Sequence, residues 1–146
     1  MRYLLLLTIV SLVVFASCRK NTANSAPTLK FKSVNTTQLH QQELIHFTLA
    51  FTDGPGNLLD SVYVEEKVPN CPTSNLSGYF PVPAFPTSKN QKGDVVVTFG
   101  YNVSGYTSLS PQCQENDTAV FRFAIRDVNK NTSDTVSSPP IILYYQ

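Results

Sequence analysis

The segment Ile45-His46-Phe47-Thr48-Leu49-Ala50-Phe51-Thr52 decides the fold, because large apolar residues alternate with smaller or polar ones along its whole length. Successive side chains of a β-strand point to opposite faces, so this alternation predicts a strand with one buried face. The same period of two recurs in residues 61–65, 95–101 and 121–126, whereas no segment carries a helical period of useful length. The chain is therefore expected to be all-β.

Short strands and ten prolines predict an antiparallel β-sandwich of about seven strands, formed by residues 28–146. The stretch from Lys67 to Gly93 is too long for an ordinary connection, so we expect extra short strands or a functional loop there. Pro139 and Pro140 lack the N–H group that a ladder needs. They predict that the last strand is broken and lies at a sheet edge.

The first 17 residues have the features of an export signal. Arg2 introduces an apolar run from Leu4 to Val14, and small residues precede Cys18. The run is too short for a spanning helix, which needs about 20 residues. The segment ending at Cys18 resembles a bacterial lipoprotein lipobox. That resemblance implies cleavage before Cys18, a thioether-linked diacylglycerol and an acylated amino group; an ordinary signal followed by a chance cysteine is the alternative.

The domain organisation follows from this interpretation: a signal peptide at 1–17, a flexible tether at 18–27 and the β domain at 28–146. Arg2 is the only charge in the signal, so cleavage leaves 129 residues with ten basic and ten acidic side chains. Nucleic acid is not expected as a partner, because its binding needs a basic surface. The membrane is expected as a partner through the lipid, which two or more acyl chains would hold stably.

Two cysteines remain once Cys18 is assigned to lipid. In an oxidising envelope compartment, Cys71 and Cys113 are expected to form a disulfide. A zinc site is not expected, because the chain has no CxxC or HxxxH spacing.

Two segments resemble a known family. Phe47-Thr48-Leu49-Ala50-Phe51-Thr52-Asp53-Gly54-Pro55-Gly56-Asn57-Leu58 is similar to the F-x-F-x-D-G-x-G-D-L segment of many Bacteroidota lipoproteins with immunoglobulin-like domains. The stretch 121–136 resembles their closing hairpin, D-x-x-G-N-x-S-D-T-V. Asn57 stands where Asp is usual, and Lys130 where Gly is usual. The resemblance implies an immunoglobulin-like sandwich in which the turns after the second and sixth strands share one end.

Those two turns are rich in oxygen ligands, and they form a candidate calcium site. Ligands at alternate positions are how calcium loops supply a hard cation. The alternative is that Asp and Asn only shape turns by bonding nearby backbone, and the usual calcium-loop Gly and Glu are missing. The candidate residues are Asp53, Asn57, Asp60, Asp127, Asn129, Asn131 and Asp134.

A proline-stiffened aromatic segment, residues 78–86, is a candidate ligand-binding loop. Tyr79, Phe80 and Phe85 are suited to stacking on sugar rings or to anchoring a protein partner. The alternative, which we favour, is that these rings fold back and cap the core, since exposed aromatic patches are uncommon in monomers.

The pattern Asp-[Ser/Thr]-apolar occurs three times and resembles the O-glycosylation signal of Bacteroidota envelope proteins. That resemblance implies glycans on Ser61, Thr118 and Thr135. The alternative is that each copy simply begins a strand.

No catalytic motif is present, so the chain is not expected to be an enzyme. The sequence favours a lipid-anchored binding or accessory protein of the cell envelope, with no cofactor other than the candidate calcium. The main alternative is a glycan-binding lipoprotein of a nutrient-uptake system, although the absence of Trp counts against it. An envelope hydrolase, or an inhibitor of one, is less favoured. Arg19 and Lys20 stand where surface-displayed Bacteroidota lipoproteins carry acidic residues, and Arg19 is not the Asp associated with inner-membrane retention. The resemblance therefore implies an outer-membrane anchor that faces the periplasm.

Overall fold

The computed structural model describes residues 26–54, 59–69, 71, 76–83, 86 and 91–145. Within these residues the fold is all-β, as predicted, and no helix is long and apolar enough to cross a bilayer. The described residues form nine strands: β1 (Thr28–Val34), β2 (Gln38–Leu39), β3 (Leu44–Thr52), β4 (Leu59–Lys67), β5 (Ser77–Pro81), β6 (Lys92–Gly100), β7 (Asp117–Asp127), β8 (Val136–Ser137) and β9 (Ile141–Leu143).

The strands form two sheets, an arrangement consistent with the predicted β-sandwich. One sheet has the order β1-β3-β6. The other has the order β2-β9-β7-β4-β5, with β8 also paired to β7. All pairs are antiparallel except β2 with β9.

The two ends of the fold are defined by the strand register. Thr28 pairs with Thr52, and Leu59 pairs with Asp127. Only six residues separate the end of β3 from the start of β4. The start of β1, the end of β3, the start of β4 and the end of β7 therefore lie at one end, which we call the acidic end. Strand β4 runs from there to the opposite end, where Cys71 follows it.

The core is formed by the apolar positions of the alternating strands. The predicted inward residues of β3 are all buried, and Phe47 is at their centre. Its ring centroid lies 4.9 Å from that of Phe121 and 5.2 Å from that of Phe123. Aromatic rings at such separations gain about 0.5–1.5 kcal/mol beyond their area burial. The period of two therefore identified the buried face of β3 correctly.

The segment between Lys67 and Gly93 contains β5, so the expectation of an additional strand there is confirmed. The count of about seven strands was too low. β2 has only two residues, which gives no detectable alternation, and the carboxyl-terminal strand is divided into β8 and β9.

Pro139 and Pro140 separate β8 from β9, which confirms that the last strand is broken. The prediction that it lies at a sheet edge is wrong, because β9 is flanked by β7 and β2. The prolines fall in the gap, so the missing N–H groups cost no ladder bond in β9. Ser138 helps to bridge the gap, since its Oγ accepts a hydrogen bond from Phe121 N and its own N donates to Phe121 O.

Candidate functional site

The outer face of the larger sheet carries an exposed aromatic cluster. Val62 and Val64 of β4 point inward, so Tyr63 between them points outward. Tyr79 of β5 is its cross-strand neighbour, and the two ring centroids lie 5.1 Å apart. The guanidinium carbon of Arg126, on β7, lies 4.1 Å from the Tyr79 centroid. We call Tyr63, Tyr79 and Arg126 the tyrosine patch.

Asp60 fixes the position of Arg126. The pairing of β4 with β7 is irregular between Leu59 and Ser61, which leaves Asp60 without a ladder position. Asp60 Oδ2 accepts hydrogen bonds from Arg126 Nε at 3.2 Å and Nη2 at 2.9 Å, and from Lys130 Nζ at 3.1 Å. The Lys130 and Arg126 side chains, with a smaller contribution from Ser61, lower the pKa of Asp60.

The tyrosine patch presents both apolar and polar groups to solvent. Tyr79 is 51% exposed although it contacts both Tyr63 and Arg126. Tyr63 Oη and Ser77 Oγ are 2.8 Å apart and form a hydrogen bond at its margin. A rigid aromatic surface with hydrogen-bonding groups around it is suited to stacking and to polar recognition of a ligand.

The predicted aromatic loop is therefore only partly a surface feature. Phe80 turns inward, and its ring centroid lies 5.6 Å from that of Phe99, so the core-capping alternative holds for this residue. Tyr79 points outward, as a ligand-binding residue should. Phe85 lies outside the described residues. Tyr63 and Arg126 were not predicted, although the alternation in residues 61–65 and 121–126 places both on outward faces.

The acidic end contains two buried carboxylates. Asp53 is 1% exposed and Asp127 is fully buried. Asp127 accepts hydrogen bonds from Asn131, with Oδ1 bonded to the backbone N at 2.8 Å and Oδ2 to Nδ2 at 2.9 Å. Asp53 Oδ1 accepts one from Gly54 N at 2.8 Å. These local bonds are the turn chemistry that we weighed against calcium.

The environment of Asp53 disfavours its ionised form. Burial, together with the negative charge of nearby Asp127, raises the pKa of Asp53 against the opposing effect of the Gly54 hydrogen bond. Asp53 Oδ2 is buried and has no hydrogen-bond partner among the residues that the structure describes.

The seven predicted calcium ligands do not converge as one set. Asp60 lies within β4 and is occupied by Arg126 and Lys130. Asp134 is exposed, and Asn57 is outside the described residues. Within the described part of the chain, the only cluster of three metal-ligating side chains of the His, Cys, Asp or Glu type is Cys71, Cys113 and Asp117, and its cysteines are bonded to each other.

The predicted disulfide between Cys71 and Cys113 is confirmed, with the two Cα atoms 5.9 Å apart. It lies at the end opposite the acidic end and joins the segment after β4 to the loop before β7. Cys71 is completely buried and belongs to the apolar core. The bond therefore holds a long connection against the body of the fold.

The three Asp-[Ser/Thr] motifs have different surroundings. Thr118 and Thr135 are exposed. Ser61 is 4% exposed within β4, and its Oγ donates to Asp60 Oδ2 at 3.1 Å. In the folded chain Thr118 and Thr135 are therefore accessible and Ser61 is not, and glycosylation of these residues stays a prediction. Cys18, the predicted lipidation site, lies outside the described residues.

Comparison with known proteins adds no family to this description. No protein-family model matches the chain, and no curated protein matches it.

Proposed function

We propose that this chain is a lipid-anchored, non-enzymatic binding or accessory protein of the bacterial cell envelope, held at the outer membrane and facing the periplasm. The Cys71–Cys113 disulfide carries the proposal, because such bonds form and persist in oxidising compartments outside the cytoplasm. The lipobox-like segment ending at Cys18 supplies the anchor, and the balanced charge of the mature chain is in keeping with a partner other than nucleic acid.

The sandwich is proposed to be of the immunoglobulin-like type, and the strand order supports this. Immunoglobulin domains place strands A, B and E in one sheet and C, F and G in the other. Here β1, β3 and β6 form one sheet, and β9, β7 and β4 are neighbours in that order in the second. The inter-sheet disulfide of antibody domains has no counterpart; Phe47 and Phe123 pack between the corresponding strands, β3 and β7.

The anchor is tested by Cys18→Ala in the native host or a related bacterium. The wild-type chain is expected in the membrane fraction and to incorporate labelled palmitate, because the lipid is its proposed attachment. The Cys18→Ala variant should lose the label and leave the membrane fraction. Ser17→Ala is the matched control, since it keeps a small residue before the cleavage point and should remain membrane-bound.

The anchor proposal fails if Cys18→Ala stays with the membranes, or if wild-type chain carries no palmitate. The binding role is separate from the anchor and depends on the tyrosine patch.

The second candidate function is glycan binding, and the exposure of Tyr79 beside Tyr63 favours it. Sugar rings stack on aromatic faces, and Arg126 is placed to donate hydrogen bonds to hydroxyl or acidic groups. We expect the full chain, purified in detergent, to retain a polysaccharide on a glycan array. Tyr79→Ala should weaken that binding by about tenfold or more, as expected for an aromatic anchor.

Tyr145→Ala is the matched control, because Tyr145 is 50% exposed but lies beside Asn116, just before the start of β7, whereas Arg126 lies near the other end of that strand. Equal losses in both variants would show that the binding is not specific to the patch. If the wild-type chain retains no glycan, the glycan candidate is discarded, and a protein partner becomes the ligand to seek.

A further inference from the structure

Lys130 has a backbone conformation that residues with a side chain usually avoid. It lies in the turn after β7 with a φ of 68°, in the left-handed region, where glycine is relaxed and lysine is strained. Its side chain is 62% exposed, so burial does not offset the strain. Backbone strain of this kind is concentrated at functional sites. We therefore looked for a task of the Lys130 side chain.

The Lys130 side chain belongs to a group in which one carboxylate faces two cations. Asp60 Oδ2 lies 2.9 Å from Arg126 Nη2 and 3.1 Å from Lys130 Nζ. The single negative charge balances only one of the two positive charges, so the group keeps an excess positive charge. An ammonium has three N–H donors, and the bond to Asp60 uses one of them. Lys130 can therefore bond a second acidic group without releasing Asp60.

The same arrangement recurs farther along the outer face of the larger sheet. Glu65 Oε1 lies 2.6 Å from Lys67 Nζ, and Glu65 Oε2 lies 3.3 Å from Arg122 Nη1. Glu65 is two residues beyond Tyr63 on β4, so both side chains point outward. The two tyrosines of the patch therefore lie between two groups that each keep an excess positive charge. The carboxylate of Asp134, exposed on the connection to β8, would reduce this excess without cancelling it.

We propose that the ligand of the tyrosine patch is an acidic polysaccharide, whose carboxylate groups are bound by Lys130 and Arg126. This inference rests on the glycan candidate described above and narrows it to polymers that contain uronate sugars. The faces of Tyr63 and Tyr79 are suited to the sugar rings, and the neighbouring cations are suited to charge-assisted hydrogen bonds with carboxylates. The strain at Lys130 is then retained for an ammonium group that glycine would lack.

The test uses the full chain in detergent, with a chelator present so that no metal ion links protein and polymer. Polygalacturonate, alginate and hyaluronate are immobilised, each beside its carboxyl-reduced form, which keeps the sugar rings and loses the charge. Wild type is expected to bind at least one acidic polymer about tenfold more tightly than the reduced form, as one charge-assisted hydrogen bond would give. High salt should weaken this preference, because exposed charges are screened.

Two variants remove the ammonium in different ways. Lys130→Gly places a relaxed residue at the same φ, and Lys130→Gln keeps a long polar side chain without its charge. Both should lose most of the preference for the acidic polymer, whereas Lys130→Arg keeps the charge and should keep the preference. Lys30→Gln is the matched control for net charge, because Lys30 is exposed on β1 in the other sheet, and it should bind as wild type does.

The inference is overturned if wild type binds the acidic and the reduced polymers equally; glycan binding would then stand without recognition of charge. If wild type retains neither form, the inference and the glycan candidate fail together, and an acidic protein segment becomes the partner to seek. An unchanged preference in both Lys130→Gly and Lys130→Gln, or an equal loss in Lys30→Gln, also contradicts the inference.

Discussion

Asp60 shows how a single carboxylate organises a surface. It receives two nitrogens of Arg126 and the Nζ of Lys130, and through Arg126 it holds a guanidinium over Tyr79. The sequence alone suggested a metal ligand in a turn at this position. In the structure Asp60 lies within β4, at an irregularity in the pairing of β4 with β7. The alternation of residues in the sequence does not predict this irregularity.

The pH dependence of stability should reveal this role. The folded pKa of Asp60 lies below its ordinary value of 3.8, so its ion pairs stabilise the fold above that pH. The stabilisation is lost as pH falls through the folded pKa. Asp60→Asn should therefore lower Tm modestly at neutral pH, and the difference from wild type should vanish in strong acid.

Thermal unfolding across the pH range checks this prediction. Asp134→Asn serves as the control, since Asp134 is exposed and makes no ion pair with the residues that the structure describes. A difference for Asp60→Asn that persists unchanged into strong acid would contradict the electrostatic explanation.

At the scale of the elements, the disulfide fixes the connection that leads from β4 to β5. The disulfide ties the segment between β4 and β5 to the loop before β7, and its two cysteines are separated by 42 positions in the sequence. Strand β5 is an edge strand of five residues and supplies Tyr79. Restricting the unfolded chain by a loop of this length stabilises the fold by about 4 kcal/mol in the chain-entropy model.

The double variant Cys71→Ala/Cys113→Ala should be less stable than wild type by up to about 4 kcal/mol, with a further loss from the buried Cys71 site. Denaturant unfolding with and without reductant measures the difference. Reductant should shift wild type toward the double variant and leave the double variant unchanged. Equal stability of oxidised and reduced wild type would contradict the prediction.

The length of a strand decides whether the sequence pattern can predict it. β3, β4, β6 and β7 were predictable, because each is long enough for alternation to repeat several times. β2 and β8 have two residues each, so their existence depends on tertiary pairing. The sequence indicated correctly that the prolines interrupt the last strand, but β9 was misplaced at an edge because its partner β2 could not be recognised.

At the scale of the whole molecule, the all-β class and the disulfide were predictable, whereas the sites were predictable only in part. Tyr79, Asp53 and Asp127 were singled out from residue type and position, and their functional roles stay predictions. Tyr63 and Arg126 were not singled out, because their position in the tyrosine patch comes from neighbours on other strands. The alternation in the local sequence predicts which side chains of a strand are buried. It does not predict the order and register of the strands, which bring distant residues together.

The position of β1 has a consequence for how the domain would stand above a bilayer. Thr28 pairs with Thr52, beside Asp53, so the polypeptide joins the sandwich at the acidic end. If Cys18 carries the proposed lipid, the nine residues 19–27 between it and Thr28 can span at most about 30 Å. If the proposed anchor is present, the acidic end would lie nearer the membrane and the disulfide-linked end farther from it. The sheet face that carries Tyr79 runs between these two ends, so it would be accessible to a partner in or along the same membrane.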